Sequence, residues 1–136
     1  MKKNARIIIL FSLAIITWGI ASVFRFLITS DIPVTYATSE AITVHTLFSL
    51  ATLLFLLASS TFSSNKPRIM MGIIFFVLFI FNLSIIKNYQ MNAEYYNTSF
   101  AQLAVSSLIS IGIIMLFNFY FVFRGDKQNP SSSNKG

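Results

Sequence analysis

"IIILFSLAIITWGIASVFRFLI", residues 7–28, contains a single charged side chain, Arg25, three residues from its end. A helix rises about 1.5 Å per residue, so a run of this length reaches across the roughly 30 Å hydrocarbon core of a bilayer. No polar face runs along it, as a water-facing helix would require. The stretch therefore predicts a transmembrane helix, and three more runs of the same kind follow at 41–62, 69–86 and 100–123. The fold expected is an all-α integral membrane protein, a bundle of four transmembrane helices occupying 1–124, with a polar, disordered cytoplasmic tail at 125–136.

Composition agrees with that class. With 55% hydrophobic and 10% charged residues in 136 positions, the apolar surplus is too large for a water-solvated surface and must face lipid. The formal charge of +6 does not indicate nucleic acid, because the bases sit in short runs beside apolar segments instead of on one helix face. There is no cysteine, which removes disulfides, thiolate metal sites and cysteine nucleophiles from consideration.

Orientation is read from lysine and arginine, which are retained on the cytoplasmic side during insertion. Lys2, Lys3 and Arg6 precede the first run, Lys66 and Arg68 lie in "SSNKPR" between the second and third, and Arg124, Lys127 and Lys135 follow the fourth. The opposite loops hold Lys87 as their one base, together with Asp31, Glu40 and Glu94. Both termini are expected in the cytoplasm, with a bacterial inner membrane as the expected location. The start, "MKKNAR" before an apolar run and "WGIAS", also has the parts of a secretory leader that would be cut after Ala21. The run continues through Val23, Phe24 and Phe26 to Ile28, longer than a leader core, and favours an uncleaved anchor.

Polar residues inside the runs are the candidates for function, because ionisable groups in hydrocarbon are costly and turn toward the bundle interior or a wet cavity. Arg25, His45, Asn82 and Gln102 lie at similar depth, one from each run, and form with the loop acids Asp31 and Glu40 an expected outer polar cluster. Arg25 is expected to pair with Asp31 or Glu40 across the first hairpin. His45 is the chain's one histidine, the residue type whose charge changes nearest physiological pH. Ser49 and Thr52 continue its stripe, and Ser106 and Ser110 follow Gln102 at intervals of four, so these four are expected to mediate helix packing.

Inward of His45 no run contains another acid, base or histidine. A proton-coupled transporter places a titratable group near the midplane, and a small four-helix drug exporter needs a carboxylate in its first span. One histidine without thiolates makes a poor metal site and leaves haem without a second axial imidazole. Ser39, His45 and Asp31 have the residue types of a hydrolytic triad, but as three common residues in one loop region they carry little weight. The adhesion-like "RGD" at 124–126 falls on the cytoplasmic side, and the glycosylation sequon at Asn97 adjoins the fourth run. The sequence thus predicts no catalytic site, cofactor or metal. It predicts a small membrane protein that works by contact with another membrane component, as accessory subunit, assembly factor or protective protein. Its partners are the lipid bilayer and a membrane protein or its own copies. The alternative is a small oligomeric transporter or channel built on the serine-bearing faces of the second and fourth runs.

Overall fold

A computed structural model describes the backbone of residues 2–29, 36–91 and 98–126, and side chains at 4–29, 36–88 and 103–124. The described chain forms four helices, α1 (Lys2–Ile28), α2 (Thr38–Ser60), α3 (Asn65–Met91) and α4 (Thr98–Asp126). All four are long and apolar enough to cross a membrane, which suggests a multi-pass membrane protein. Large apolar side chains, among them Ile8, Phe26, Met70, Phe81 and Leu116, cover the outside of the bundle. In water so continuous an apolar surface would drive association.

Three of the helices overrun the apolar stretches that predict them, while α2 starts early at Thr38 but ends at Ser60, two residues short of the expected 62. α1 begins in the basic segment at Lys2, α3 starts at Asn65 and runs to Met91, and α4 takes in Gly125 and Asp126. Hydropathy registers only the part of a helix that suits hydrocarbon, whereas backbone hydrogen bonding continues into polar sequence until something stops it. Pro67 does not stop α3, because in the first turn its missing N–H had no helical acceptor to lose. Residues 127–136 of the expected tail lie outside the described residues.

α1 lies on α2, α3 lies on α4, and the two hairpins meet chiefly through α2 and α4. Within the first hairpin, Phe11 meets Phe55 edge to face at 5.8 Å and Trp18 meets Phe48 at 6.1 Å. Both partners step by seven residues, the repeat that keeps one face of each helix on its neighbour. Ala14 and Ala21, fully buried and also seven apart, let α1 come close. The second hairpin uses glycine instead. A Cβ on Gly72 would stand 3.0 Å from the Phe119 ring, and seven residues along α3 the Phe79 ring comes within 3.6 Å of the corresponding position at Gly112. Phenylalanine fills the space over glycine in both directions, which fixes the register of the pair.

α2 is the central element. Its buried Val44, Phe48, Ala51, Phe55 and Ala58 advance by alternating steps of four and three. α1 is peripheral, with 11% of its span buried against 33% for α2. One core cluster draws on every helix, through Ala14, Phe55, Met71, Phe75, Ile111 and Ile114, and a second gathers Ala21, Ile28, Val44, Phe48 and Leu103 toward the end carrying the α1–α2 connection. At the other end Arg68 closes the α2–α3 turn. Its Nη2 donates to the Phe62 carbonyl at 2.8 Å and its Nε to that of Ser59 at 3.4 Å, so a cation meets the carbonyl end of α2. The guanidinium also lies over the Phe121 ring, 5.3 Å from its centre, and so ties the turn to α4.

Candidate functional site

Arg25 reaches inward from the last turn of α1, with its Nη1 donating to the Ser107 hydroxyl of α4 and its Cζ 5.8 Å from the centre of the Phe48 ring of α2. Half-burial suits a guanidinium whose stem can lie along apolar surface while its head finds donors' partners. Ser107 is buried and faces two acceptors, the Ala104 carbonyl at 2.8 Å and Asn82 Oδ1 on α3 at 3.3 Å. Asn82 in turn donates from Nδ2 to the Leu78 carbonyl at 2.9 Å. Three helices therefore exchange hydrogen bonds at Ser107.

One turn deeper, Thr52 of α2 and Ser110 of α4 bond hydroxyl to hydroxyl. Both hydroxyls also reach the Phe48 carbonyl, Thr52 at 2.7 Å and Ser110 at 3.5 Å, so either can be the donor in the direct contact. Still further along the same two helices come Ser59 and Asn118, both fully buried. Asn118 Nδ2 donates to the Ile114 carbonyl at 2.8 Å, while Asn118 Oδ1, Ser59 Oγ and Trp18 Nε1 have no hydrogen-bond partner among the described residues.

His45 stands apart from this interior network. It is exposed on α2 and lines an open groove of about 430 Å³ between α2 and α4. Ser49, Thr52, Leu53 and Leu56 continue the α2 wall, Ser106, Ile109, Ser110 and Ile113 form the other, and Phe48 lies at the base. Ser49 donates to the His45 carbonyl and Ser106 to that of Leu103, each at 2.8 Å, which leaves their oxygen lone pairs as acceptors facing the groove.

The expected outer cluster thus divides. Arg25 and Asn82 converge, and their meeting point is Ser107, a residue absent from the expected set. His45 is on the groove with Ser49 and Ser106, and Thr52 and Ser110 sit between network and groove. Glu40 is engaged locally, its Oε2 accepting the Ala37 N–H at 2.8 Å at the start of α2. Asp31 and the Gln102 side chain lie outside the described residues. Among the described residues no three of histidine, aspartate, glutamate and cysteine gather as a metal site.

The signal that could have found Ser107 is the alternation of fours and threes on α4, from Leu103 through Ser107, Ser110 and Ile114 to Asn118 by a further four. The uniform interval of four that selects Ser106 drifts off that face. Chemically, the network can hold helices in register, and the groove can accept an elongated molecule that offers donors at one end. The chain matches no family model, no curated protein and no solved structure.

Proposed function

We propose that the chain spans the inner membrane of a bacterium four times with both termini in the cytoplasm, and acts by lateral contact with another membrane protein as an accessory, assembly or protective subunit. The observation carrying this reading is how the interior polar groups spend their bonds. Arg25 and Asn82 both bond Ser107, and Thr52 bonds Ser110, so these interior polar groups are directed at neighbouring helices. A body held in this way presents its outer faces to something else, and those faces are mostly apolar, with His45 and Ser49 among the exposed polar exceptions. In hydrocarbon, association depends on shape and on small or polar side chains more than on apolar area, so a specific partner must fit the relief of these faces.

A second reading, a small oligomeric transporter, is favoured by one feature. The groove brings His45, Ser49, Ser106 and Ser110 onto one face, and copies meeting there would enclose a polar path. Extraction in mild detergent from the native membrane, followed by size determination and identification of co-purifying chains, separates the two. A stoichiometric foreign subunit supports the accessory reading, and a homo-oligomer with no other chain sinks it in favour of transport.

A further inference from the structure

Two fully buried side chains near the α2–α3 turn have polar atoms with nothing to bond. Ser59 and Asn118 are each 0% exposed, and neither Ser59 Oγ nor Asn118 Oδ1 has a hydrogen-bond partner among the described residues. Thr52 and Ser107, buried on the same two helices, each reach a carbonyl of their own helix and a side chain across the interface. Asn118 Nδ2 is committed to the Ile114 carbonyl, so the unsatisfied end of its amide is an acceptor. Ser59 supplies the complement, a hydroxyl whose proton has no acceptor. A bundle interior leaves such groups costly unless something bonds them.

Three contacts place the two residues in one layer. α2 and α4 run in the same direction, since Val44 and Phe48 pack with Leu103 and, farther along, Phe55 packs with Ile111 and Ile114. Two turns beyond the Thr52–Ser110 bond, Ser59 is therefore level with the turn of α4 that carries Asn118. α3 returns antiparallel to both. Its Phe75 ring meets Phe55, so Met71, one turn back on α3, is level with Ser59, one turn on along α2. The approach of Gly72 to the Phe119 ring brings that same turn of α3 level with Asn118. Along α2 the core row passes from Phe48 and Phe55 to Ala58 and Ser59, so side-chain bulk falls at this layer.

The ligand that fits accepts from Ser59, donates to Asn118 and is small. Two neutral side-chain oxygens are too few for a hard metal cation, which takes about six oxygen ligands. We propose that Ser59 and Asn118 hold one buried water molecule, which accepts the Ser59 hydroxyl proton and donates to Asn118 Oδ1. Internal waters serve this purpose in folded proteins, making about three hydrogen bonds to groups otherwise unpaired. The water joins α2 of one hairpin to α4 of the other, at the opposite end of the bundle from the Arg25–Ser107–Asn82 network. It stands whichever partner the outer faces meet.

The test is X-ray radiolytic footprinting of the full chain in detergent micelles, read by mass spectrometry. Radiolysis converts water to hydroxyl radicals, which oxidise adjacent side chains and turn methionine to its sulfoxide. Met71 is only 5% exposed, so its oxidation reports water held beside it, while Met70, 63% exposed on the outer face of the same turn, is the internal reference. Met71 sulfoxide is expected in the wild type. Asn118→Leu, which keeps the side chain's shape without its polar atoms, and Ser59→Val, which fills the layer, should each lower the Met71-to-Met70 ratio severalfold at unchanged helix content. Having two variants guards against one of them failing to fold. A direct Ser59–Asn118 bond without water predicts a wild-type Met71 that is not oxidised, and that result overturns the proposal. A ratio unchanged in the folded variants overturns it as well, since solvent would then reach Met71 without this site.

Discussion

Ser107 has one hydroxyl proton and two oxygens competing for it, at 2.8 and 3.3 Å, while its own oxygen accepts from Arg25. Ser106, its neighbour in the chain, bonds only the Leu103 carbonyl of its own helix in the described structure and faces the groove. Replacing each by alanine should therefore give unequal results. Ser107→Ala strips the donor that Ser107 offers to the buried Asn82 Oδ1 and is expected to cost about 1–3 kcal/mol, the range for leaving a buried polar group unpaired. Ser106→Ala removes only a bond from a half-buried side chain to its own helix, and should stay within about 0.5 kcal/mol. Thermal unfolding of both variants in one detergent checks the difference; equal losses would mean that Ser107 is not the meeting point. The sequence distinguishes these two serines poorly for a physical reason. On a helix surrounded by hydrocarbon the outer face is as apolar as the inner one, so no contrast marks which serine turns inward.

At the scale of elements the legibility is uneven in the same way. The middle of each helix follows from the length of its apolar run, but the pairing does not follow from connection length, since the shortest connection, 61–64, joins α2 to α3, whereas α1 packs on α2 and α3 on α4. The ends do not follow, since Lys2–Arg6 and Gly125–Asp126 are helical for reasons that hydropathy does not record. Nor does the use of Glu40. Charge alone pairs it with Arg25, but a carboxylate three residues past an N-cap is well placed to reach back to a free N–H, and this one does. Glu40→Ala is accordingly expected to destabilise by about 1 kcal/mol or less through the start of α2. Combining Arg25→Glu with Glu40→Arg should recover nothing over Arg25→Glu alone, as measured by the unfolding midpoint. Recovery would instead establish a pair across the hairpin. The Asp31 half of that expectation lies outside the described residues.

For the whole molecule, eight bases on one side of the bundle against Lys87 on the other set the proposed orientation. Reporter fusions after Asn65 and at the C-terminus should read as cytoplasmic, and one near Asn92 as external; an external C-terminus would reverse the assignment. Arg68 belongs to this set of bases and is also anchored to the Ser59 and Phe62 carbonyls and to the Phe121 ring, so it contributes to topology and to structure together. Its position has a consequence for covalent continuity. Every contact it makes to α2 and α4 is non-covalent, as are the Phe55–Phe75 edge-to-face pair at 5.1 Å and the Thr52–Ser110 bond that join the two hairpins. A cut between Ser63 and Ser64 would sever none of them. Co-expressed 1–63 and 64–136 are therefore expected to reassemble in the membrane and co-purify, held by the contacts that cross the cut. In the same fragment pair Arg68→Ala, which removes its bonds to the Ser59 and Phe62 carbonyls of the other half, should lower the recovery of one half with the other.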